Sequence, residues 1–308
     1  MAKETEFIVI LNRDSGDEAD KPGPAEIERA FARHGGTVSV LPVSGEPDFA
    51  ARIDEAIGRR PRCVVAAGGD GTISAVAGAL VGTGIELGVI PLGTFNYFAR
   101  RCGIPEDFEA SIDVICRGRR GHAVLGSVNG QIFLNNASLG LYPSILRERE
   151  RTYRRWGRSR LAAYWSVILT MATIYRPMTM HIEVDGTQRW ETSPNLFVAV
   201  SAYQLDEFGI EGAEAIREGR FALLIAPDCG RFMLVWKALR IAVSGLRAGR
   251  DFTLVTGRNV TITTGRRKSL VAMDGERREM TAPFTFSILE DALVVRLPEN
   301  GTEEAGAA

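Results

Sequence analysis

The chain has 308 residues, of which 45% are hydrophobic and 24% charged, so it is long enough to bury the cores of two domains. Its 37 Lys and Arg and 38 Asp and Glu leave a formal net charge of −1, which excludes a strong overall attraction to nucleic acid or to an anionic membrane. Its four cysteines are scattered without a C-x-x-C pair, which excludes a disulfide scaffold and favours a reducing compartment.

The first third of the chain alternates predicted strands and helices. The predicted strands cover 7–11, 37–43, 62–67 and 87–90, and the predicted helices cover 25–33, 49–57, 73–81 and 97–101, with a mobile loop at 13–24. Strands that alternate with helices over short connections are typical of a parallel sheet. We therefore predict a parallel α/β domain at the start of the chain.

After residue 121, segments with period 2 dominate and predict a β-rich second domain. The predicted strands cover 123–128, 131–137, 180–184, 195–201, 221–226, 260–264 and 269–273. The pairs Asn129-Gly130, Asp185-Gly186 and Asp274-Gly275 predict hairpin turns. Helical segments are predicted at 155–174 and 231–246, and the polar tail 301–308 is expected to be disordered.

Two glycine-threonine turns carry the clearest functional signal. Gly68, Gly69, Asp70, Gly71 and Thr72 follow one apolar strand, and the turn containing Thr94 and Asn96 follows the next. In an open parallel sheet such turns line the crevice where ligands bind, and glycines let the backbone approach a phosphate closely. Since neither a Walker loop nor a clean G-x-G-x-x-G is present, the pattern predicts a nucleotide phosphate site of another type.

These motifs resemble the catalytic domain of the diacylglycerol kinase and sphingosine kinase superfamily, and most of all its soluble bacterial lipid kinases. The resemblance extends from Asn12 through both turns and the 134–140 segment to Asp274-Gly275-Glu276. It implies an N-terminal phosphofructokinase-like α/β domain at 1–121, to which 283–300 return, and a C-terminal β-sandwich at 122–282 that takes the lipid. It also implies a nucleotide cleft between the two domains.

The resemblance further implies a set of functional residues, ATP and Mg²⁺ as cofactors, and a lipid with a free hydroxyl as substrate. Asp70 would organise the metal and the phosphates, Glu276 would accept the proton of the lipid hydroxyl with Asp274 beside it, and Glu218 would be a second metal ligand. The implied ATP contacts are Asn12, Ser44, Gly68, Gly69, Asp70, Gly71, Thr72, Thr94 and Asn96.

Three positions depart from the family pattern. Arg13 replaces the usual proline after Asn12, and Tyr97 replaces an acid that many members carry after the second turn. Glu218 replaces the aspartate of a turn that holds a structural Mg²⁺ in some members, so its longer side chain puts that metal site in question.

The segment Arg147–Tyr175 joins a cluster of arginines to an aromatic, apolar stretch. Such a segment predicts docking to an anionic membrane surface, and the alternative is a solvated arginine face beside a core helix. We expect a cytoplasmic protein without a nucleic-acid partner, attached through this segment to the inner face of the membrane if docking occurs. A homodimer is left open.

The activity expected from the resemblance is transfer of the γ-phosphoryl group of ATP to a diacylglycerol-like or long-chain-base lipid. An NAD kinase is one alternative, because that family shares the Gly-Gly-Asp-Gly-Thr turn. A catalytically silent lipid- or nucleotide-binding protein is another, because of Tyr97 and Glu218.

Overall fold

A computed structural model describes residues 6–12, 21–43, 46–146, 176–230, 233 and 251–299. The chain forms two compact units. Unit 1 contains residues 1–125 and 289–308, and unit 2 contains residues 126–288. Both crossings between the units fall a few residues beyond the predicted boundaries at 121 and 283, inside long strands rather than in loops.

Unit 1 is a parallel sheet flanked by helices, as predicted. Its strands are β1 (Phe7–Asn12), β2 (Val38–Val43), β3 (Cys63–Gly68), β4 (Glu86–Pro91), the start of β5 (Arg119–Val128) and the end of β16 (Phe284–Leu297). The strand order is β2-β1-β3-β4-β16, and each neighbouring pair is parallel. The helices are α1 (Pro24–Arg33), α2 (Glu46–Gly58), α3 (Asp70–Leu80), α4 (Tyr97–Arg101) and α5 (Phe108–Arg117).

The central strands of unit 1 are buried along their whole length, because helices cover both faces of a parallel sheet. Every residue of β3 and β4 is buried. On one face, Phe7 of β1 packs against Phe31 of α1, with ring centroids 5.2 Å apart. The rigid sheet holds the residues that follow β3 and β4 at a fixed spacing.

One helix of unit 1, α5, has no counterpart among the predicted elements. Its first turn is capped by Asp107, whose carboxylate accepts a hydrogen bond from the Ala110 amide at 2.9 Å. Ile112 and Ile115, three residues apart, are buried on its inner face. The capping residue and this spacing are standard signals of a helix, so the sequence contained the information.

Unit 2 contains two antiparallel sheets. Its further elements are β6 (Gln131–Phe133), β7 (Asn136–Gly140), β8 (Met178–Val184), β9 (Thr187–Ser193), β10 (Asn195–Ala199), β11 (Phe221–Ile225), β12 (Thr253–Gly257), β13 (Val260–Thr264), β14 (Lys268–Met273), β15 (Glu276–Thr281), α6 (Ala202–Glu207) and α7 (Ala213–Arg217). One sheet has the order β16-β13-β8-β9, with β6 paired to the end of β5, and the other has the order β12-β11-β10-β7-β14-β15. Phe133 of β6 and Phe286 of β16 pack against Phe221 of β11, with ring centroids 6.3 and 6.2 Å apart.

The prediction of one strand over 131–137 is wrong. The chain bends at Leu134 and Asn135, so that β6 and β7 belong to different sheets. Helices α6 and α7 and strands β9, β12 and β15 were not predicted either. Strand β15 has only one buried residue, Met280, because it lies at the edge of its sheet, and it therefore lacks a hydrophobic pattern.

Among the residues that the structure describes, no helix has the length and hydropathy needed to cross a bilayer. The helices predicted at 155–174 and 231–246, apart from Met233, and the tail 301–308 lie outside the described residues, as does most of the predicted loop at 13–24.

Candidate functional site

The first glycine turn joins a buried strand to the start of a helix. Strand β3 ends at Gly68, and α3 begins at Asp70, with Gly69 in extended conformation at its N-cap. Because glycine has no side chain, Gly69 cannot cap the first amides of α3. Uncapped amides at a helix N-terminus carry partial positive charge and favour an anion.

The second turn lies against the first. A Cβ added to Gly93 would lie 2.6 Å from the Cα of Gly69 and 2.8 Å from Oδ1 of Asn96. No real side chain tolerates 2.6 Å to a backbone atom, so position 93 requires glycine. A Cβ on Gly69 would lie 3.3 Å from the Cα of Gly93, which is a tight contact but not a forbidden one. The close approach of the two turns follows from the pairing of β3 with β4, in which Gly68 is opposite Pro91.

Asn96 holds the second turn in shape. Its Oδ1 accepts a hydrogen bond from the Gly93 amide at 2.9 Å, and its Nδ2 donates to the Gly93 carbonyl at 3.0 Å. Asn96 is buried and has a left-handed backbone with φ of 51°, which asparagine tolerates better than most residues. Thr94, by contrast, is exposed at the tip of the turn.

Asp70 links the two turns. Its Oδ1 accepts a hydrogen bond from the amide of Phe98 at 3.4 Å, at the start of α4. Partial burial raises the pKa of Asp70 above its ordinary value, while the amides of Phe98, Asn96 and Tyr97 oppose that rise. The carboxylate is therefore held between two helix N-termini, in a position that also suits a cation.

The end of β1 is tied to the first turn through Asn12. Its Nδ2 donates to Oγ1 of Thr72 at 2.9 Å, and Thr72 is only 4% exposed. A Cβ on Gly68 would lie 2.5 Å from the same Oγ1. Thr72 thus fixes the shape of the turn from inside, and Gly68 leaves the space that it needs.

Glu106 and Phe95 were missed by the sequence analysis. Glu106 accepts hydrogen bonds from Nδ2 of Asn96 at 3.2 Å and from Nε of Arg100 at 2.8 Å, and the Arg100 guanidinium lowers the pKa of Glu106. Phe95 stacks on Tyr97 with ring centroids 5.5 Å apart and an angle of 2° between the planes. Glu106 stands in no motif, whereas Phe95 lies in the second turn between Thr94 and Asn96, where no role was assigned to it.

In unit 2, the Asp274 carboxylate is hydrogen-bonded to the backbone between β6 and β7. Its carboxylate accepts hydrogen bonds from the amides of Leu134 at 2.7 Å, Asn135 at 2.8 Å and Asn136 at 3.3 Å. These bonds produce the bend that separates β6 from β7. Glu276, at the start of β15, is exposed.

The other predicted site residues are less informative. Glu218 follows α7, is exposed and forms an ion pair with Arg220. Within the described ranges, no group of three or more His, Cys, Asp or Glu side chains could hold a metal ion. Ser44 and the segment Arg147–Tyr175 lie outside the described residues.

Comparison with known proteins supports the interpretation of the turns. Residues 6–128 match the diacylglycerol kinase catalytic domain. A diacylglycerol kinase from Bacillus subtilis is 28% identical over 304 residues, which cover 96% of this chain and 97% of that protein. The similarity to diacylglycerol kinases therefore covers the catalytic domain at residues 6–128 and, at 28% identity, nearly the whole length of the Bacillus subtilis protein.

Two further relatives differ in how much of the chain they share. A Klebsiella pneumoniae protein named "Probable lipid kinase YegS-like" is 35% identical over 144 residues, which cover 46% of this chain and 48% of that protein. The crystal structure of a diacylglycerol kinase from Bacillus anthracis superposes with a TM-score of 0.69 and 18% identity, covering 96% of this chain and 98% of that one. At that identity the structural match establishes the fold alone.

The part that matches the diacylglycerol kinase catalytic domain contains both glycine turns, Asn12 and Asp70. Asp274, Glu276 and Glu218 lie beyond it, so their roles rest on the order of the motifs and on the local geometry of unit 2.

Proposed function

We propose that this protein is a lipid kinase that transfers the γ-phosphoryl group of ATP, with Mg²⁺, to the hydroxyl of a diacylglycerol-like or long-chain-base lipid. The observation that carries the proposal is the contact between the two glycine turns, which places the uncapped start of α3 and the Asp70 carboxylate side by side.

The residues of the turns fit a nucleotide phosphate chain. The positions of Gly69 and Gly93 have no side chain to fill the space above the turns, and the amides of α3 favour phosphate oxygens. Asn12 and Thr72 keep the first turn in this shape, and Asn96 keeps the second. These residues would therefore bind and orient the phosphates rather than take part in bond making.

The donor set also fits Mg²⁺. This ion keeps several waters and needs only one or two carboxylates when substrate phosphates supply the other ligands, and Asp70 offers one carboxylate. When bound, the ion would neutralise charge on the phosphate oxygens during transfer. Glu218 fits less well, because its carboxylate is paired with Arg220.

The two acidic residues of the β14–β15 turn have different roles in this proposal. Asp274 already accepts three backbone hydrogen bonds, so it positions the turn and the 134–136 bend. Glu276 is exposed and would accept the proton of the lipid hydroxyl. The hydroxyl oxygen of the lipid would then bond to the γ-phosphorus, while the bond between the γ-phosphorus and the bridging oxygen of the β-phosphate breaks.

The proposal is tested by transfer of radiolabelled γ-phosphate from Mg-ATP to lipids in mixed micelles, with identification of the product. Asp70→Asn should abolish labelling, and Asp54→Asn, which changes an exposed carboxylate on α2, is the matched control. A fully active Asp70→Asn protein would refute the assignment of Asp70. Labelled NADP in place of a labelled lipid would indicate an NAD kinase, and ATP binding without any product would indicate a silent binding protein.

We also propose, from the sequence alone, that the segment Arg147–Tyr175 docks the protein on an anionic membrane. Sedimentation with phosphatidylglycerol vesicles tests this, and neutral phosphatidylcholine vesicles are the control. Equal binding to both kinds of vesicle, or to neither, would contradict the docking proposal while leaving the kinase proposal untouched.

A further inference from the structure

A pocket of about 500 Å³ lies in unit 2, at the end of the unit where β7 stops and β14 starts. It is lined by Gly140, the last residue of β7, and by Lys268, the first residue of β14. The turn that holds Asp274 lies beyond the other end of β14, and a six-residue strand is roughly 20 Å long. Glu279 lines the pocket from β15, three residues from Glu276 and on the opposite face of the sheet. The pocket is therefore separate from the proposed proton acceptor.

This pocket carries an excess of positive charge. It is lined by Arg176, Arg266 and Lys268, against one carboxylate, that of Glu279. Nζ of Lys268 lies 2.8 Å from Oε1 of Glu279, so these two charges largely neutralise each other. Arg176 and Arg266 are exposed, and neither has an ion-pair partner among the described residues. Two guanidinium groups are therefore available to bind an anion.

Part of the wall of the same pocket is apolar. Leu141, Met178 and Leu270 line it beside the charged residues, and of these Leu141 is buried and the other two are half-buried. A small inorganic anion would leave this apolar surface in contact with water, whereas a ligand with hydrocarbon would cover it. The combination of unpaired cations and apolar side chains favours an anionic amphiphile.

We propose that this pocket binds one molecule of an anionic phospholipid. Its phosphodiester would lie between Arg176 and Arg266, and the start of an acyl chain would pack against Leu141 and Leu270. Diacylglycerol is uncharged and a long-chain base is cationic, so neither acceptor class of the proposed kinase accounts for two unpaired arginines. The phospholipid is thus a second lipid ligand, and the proposal does not depend on the kinase activity.

Isothermal titration of the full chain with dihexanoyl phosphatidylglycerol, kept below the concentration at which it forms micelles, tests the proposal. Dihexanoyl phosphatidylcholine, which has no net charge, should bind at least about fivefold more weakly. Arg176→Gln and Arg266→Gln should each weaken the binding of phosphatidylglycerol about fivefold, because each removes one cation from the anion site. Arg267→Gln is the matched control, because Arg267 is an exposed neighbour of Arg266 that does not line the pocket, and it should leave the affinity unchanged.

Glu279→Gln should have the opposite effect. It releases Lys268 from its ion pair and so adds a third cation to the pocket, which should raise the affinity for phosphatidylglycerol about fivefold. All four variants alter exposed side chains, so each should fold like the wild type.

Equal affinity for phosphatidylcholine would overturn the proposal. Phosphatidylglycerol binding that neither Arg176→Gln nor Arg266→Gln weakens would also overturn it, and would place the lipid elsewhere, including at the acceptor site. Glycerol 3-phosphate shares the phosphate chemistry but has no acyl chain, and it should bind at least about tenfold more weakly than the lipid. Equal binding of this probe would identify a free phosphate compound as the occupant and refute the lipid assignment.

Discussion

The contact between the two glycine turns makes a sharp prediction for Gly93→Ala. The new Cβ would meet the Cα of Gly69 at 2.6 Å, and the two backbones would have to separate by roughly 1 Å to restore an ordinary contact. Overpacking of this kind destabilises a fold by about 1–3 kcal/mol. The same displacement would move the start of α3 relative to the second turn.

Gly78→Ala is the matched control, because Gly78 lies within α3 and a Cβ there meets no atom within 4 Å. It should stabilise α3 by about 0.5–1 kcal/mol, since alanine is the better helix former. The two variants add the same methyl group to the same region, and we expect opposite effects on stability.

Hydrogen exchange of the α3 amides, followed by mass spectrometry, measures both effects. All four tryptophans lie outside unit 1, so intrinsic tryptophan fluorescence would not report on it. Exchange should be roughly 5- to 150-fold faster in Gly93→Ala and slower in Gly78→Ala. The kcat/KM of Gly93→Ala for phosphoryl transfer should fall about 100-fold. Wild-type exchange and activity in Gly93→Ala would refute the close approach of the turns.

Three further predictions concern single side chains. Burial raises the pKa of Asp70, so the wild-type fold loses stability as the pH rises from 3.8, the ordinary pKa of an aspartate, towards the raised pKa. Asp70→Asn should therefore be more stable than the wild type in chemical unfolding at pH 7, and this gain should vanish below pH 3.8; an equal gain at both pH values would contradict the cause given. Asp274→Ala should destabilise unit 2 by about 1–3 kcal/mol, because three amides lose their acceptor. Glu276→Gln should change the stability by less than about 0.5 kcal/mol, and it should lower kcat about 10²- to 10⁴-fold. Urea unfolding and steady-state kinetics separate the two, and the reverse pattern would exchange their roles. Asn12→Ala should cost about 0.5–1.5 kcal/mol and raise the KM for ATP through the loss of its bond to Thr72, and an unchanged KM would show that this bond does not shape the turn.

The sequence predicted unit 1 well because its signals are local. Strands such as β3 are continuous apolar runs, and the glycine turns that follow them are visible without any knowledge of the fold. The resemblance to the superfamily then supplied the expected fold and activity of the domain. The contact between Gly69 and Gly93 was not predictable, because it depends on the register between β3 and β4.

Unit 2 was predicted less completely, for two physical reasons. Its edge strands, such as β15, are largely exposed and carry charged residues, so the hydrophobic period disappears. The bend at Leu134 depends on Asp274, which is distant in the sequence and reaches the bend only in the folded chain. The sequence predicted the hairpin turn at Asp274-Gly275, but it did not predict that the Asp274 carboxylate also binds the backbone amides of the 134–136 bend.

Strand β16 has a consequence for how the protein is made. Its last residues complete the unit 1 sheet beside β4, with Val295 opposite Leu87, and Arg296 donates hydrogen bonds to the carbonyls of Ile115 and Cys116 in α5. On the ribosome, the strands that carry both glycine turns emerge long before this partner does. The sheet of unit 1 must therefore remain incomplete, with one edge of β4 unpaired, until nearly the whole chain has been synthesised.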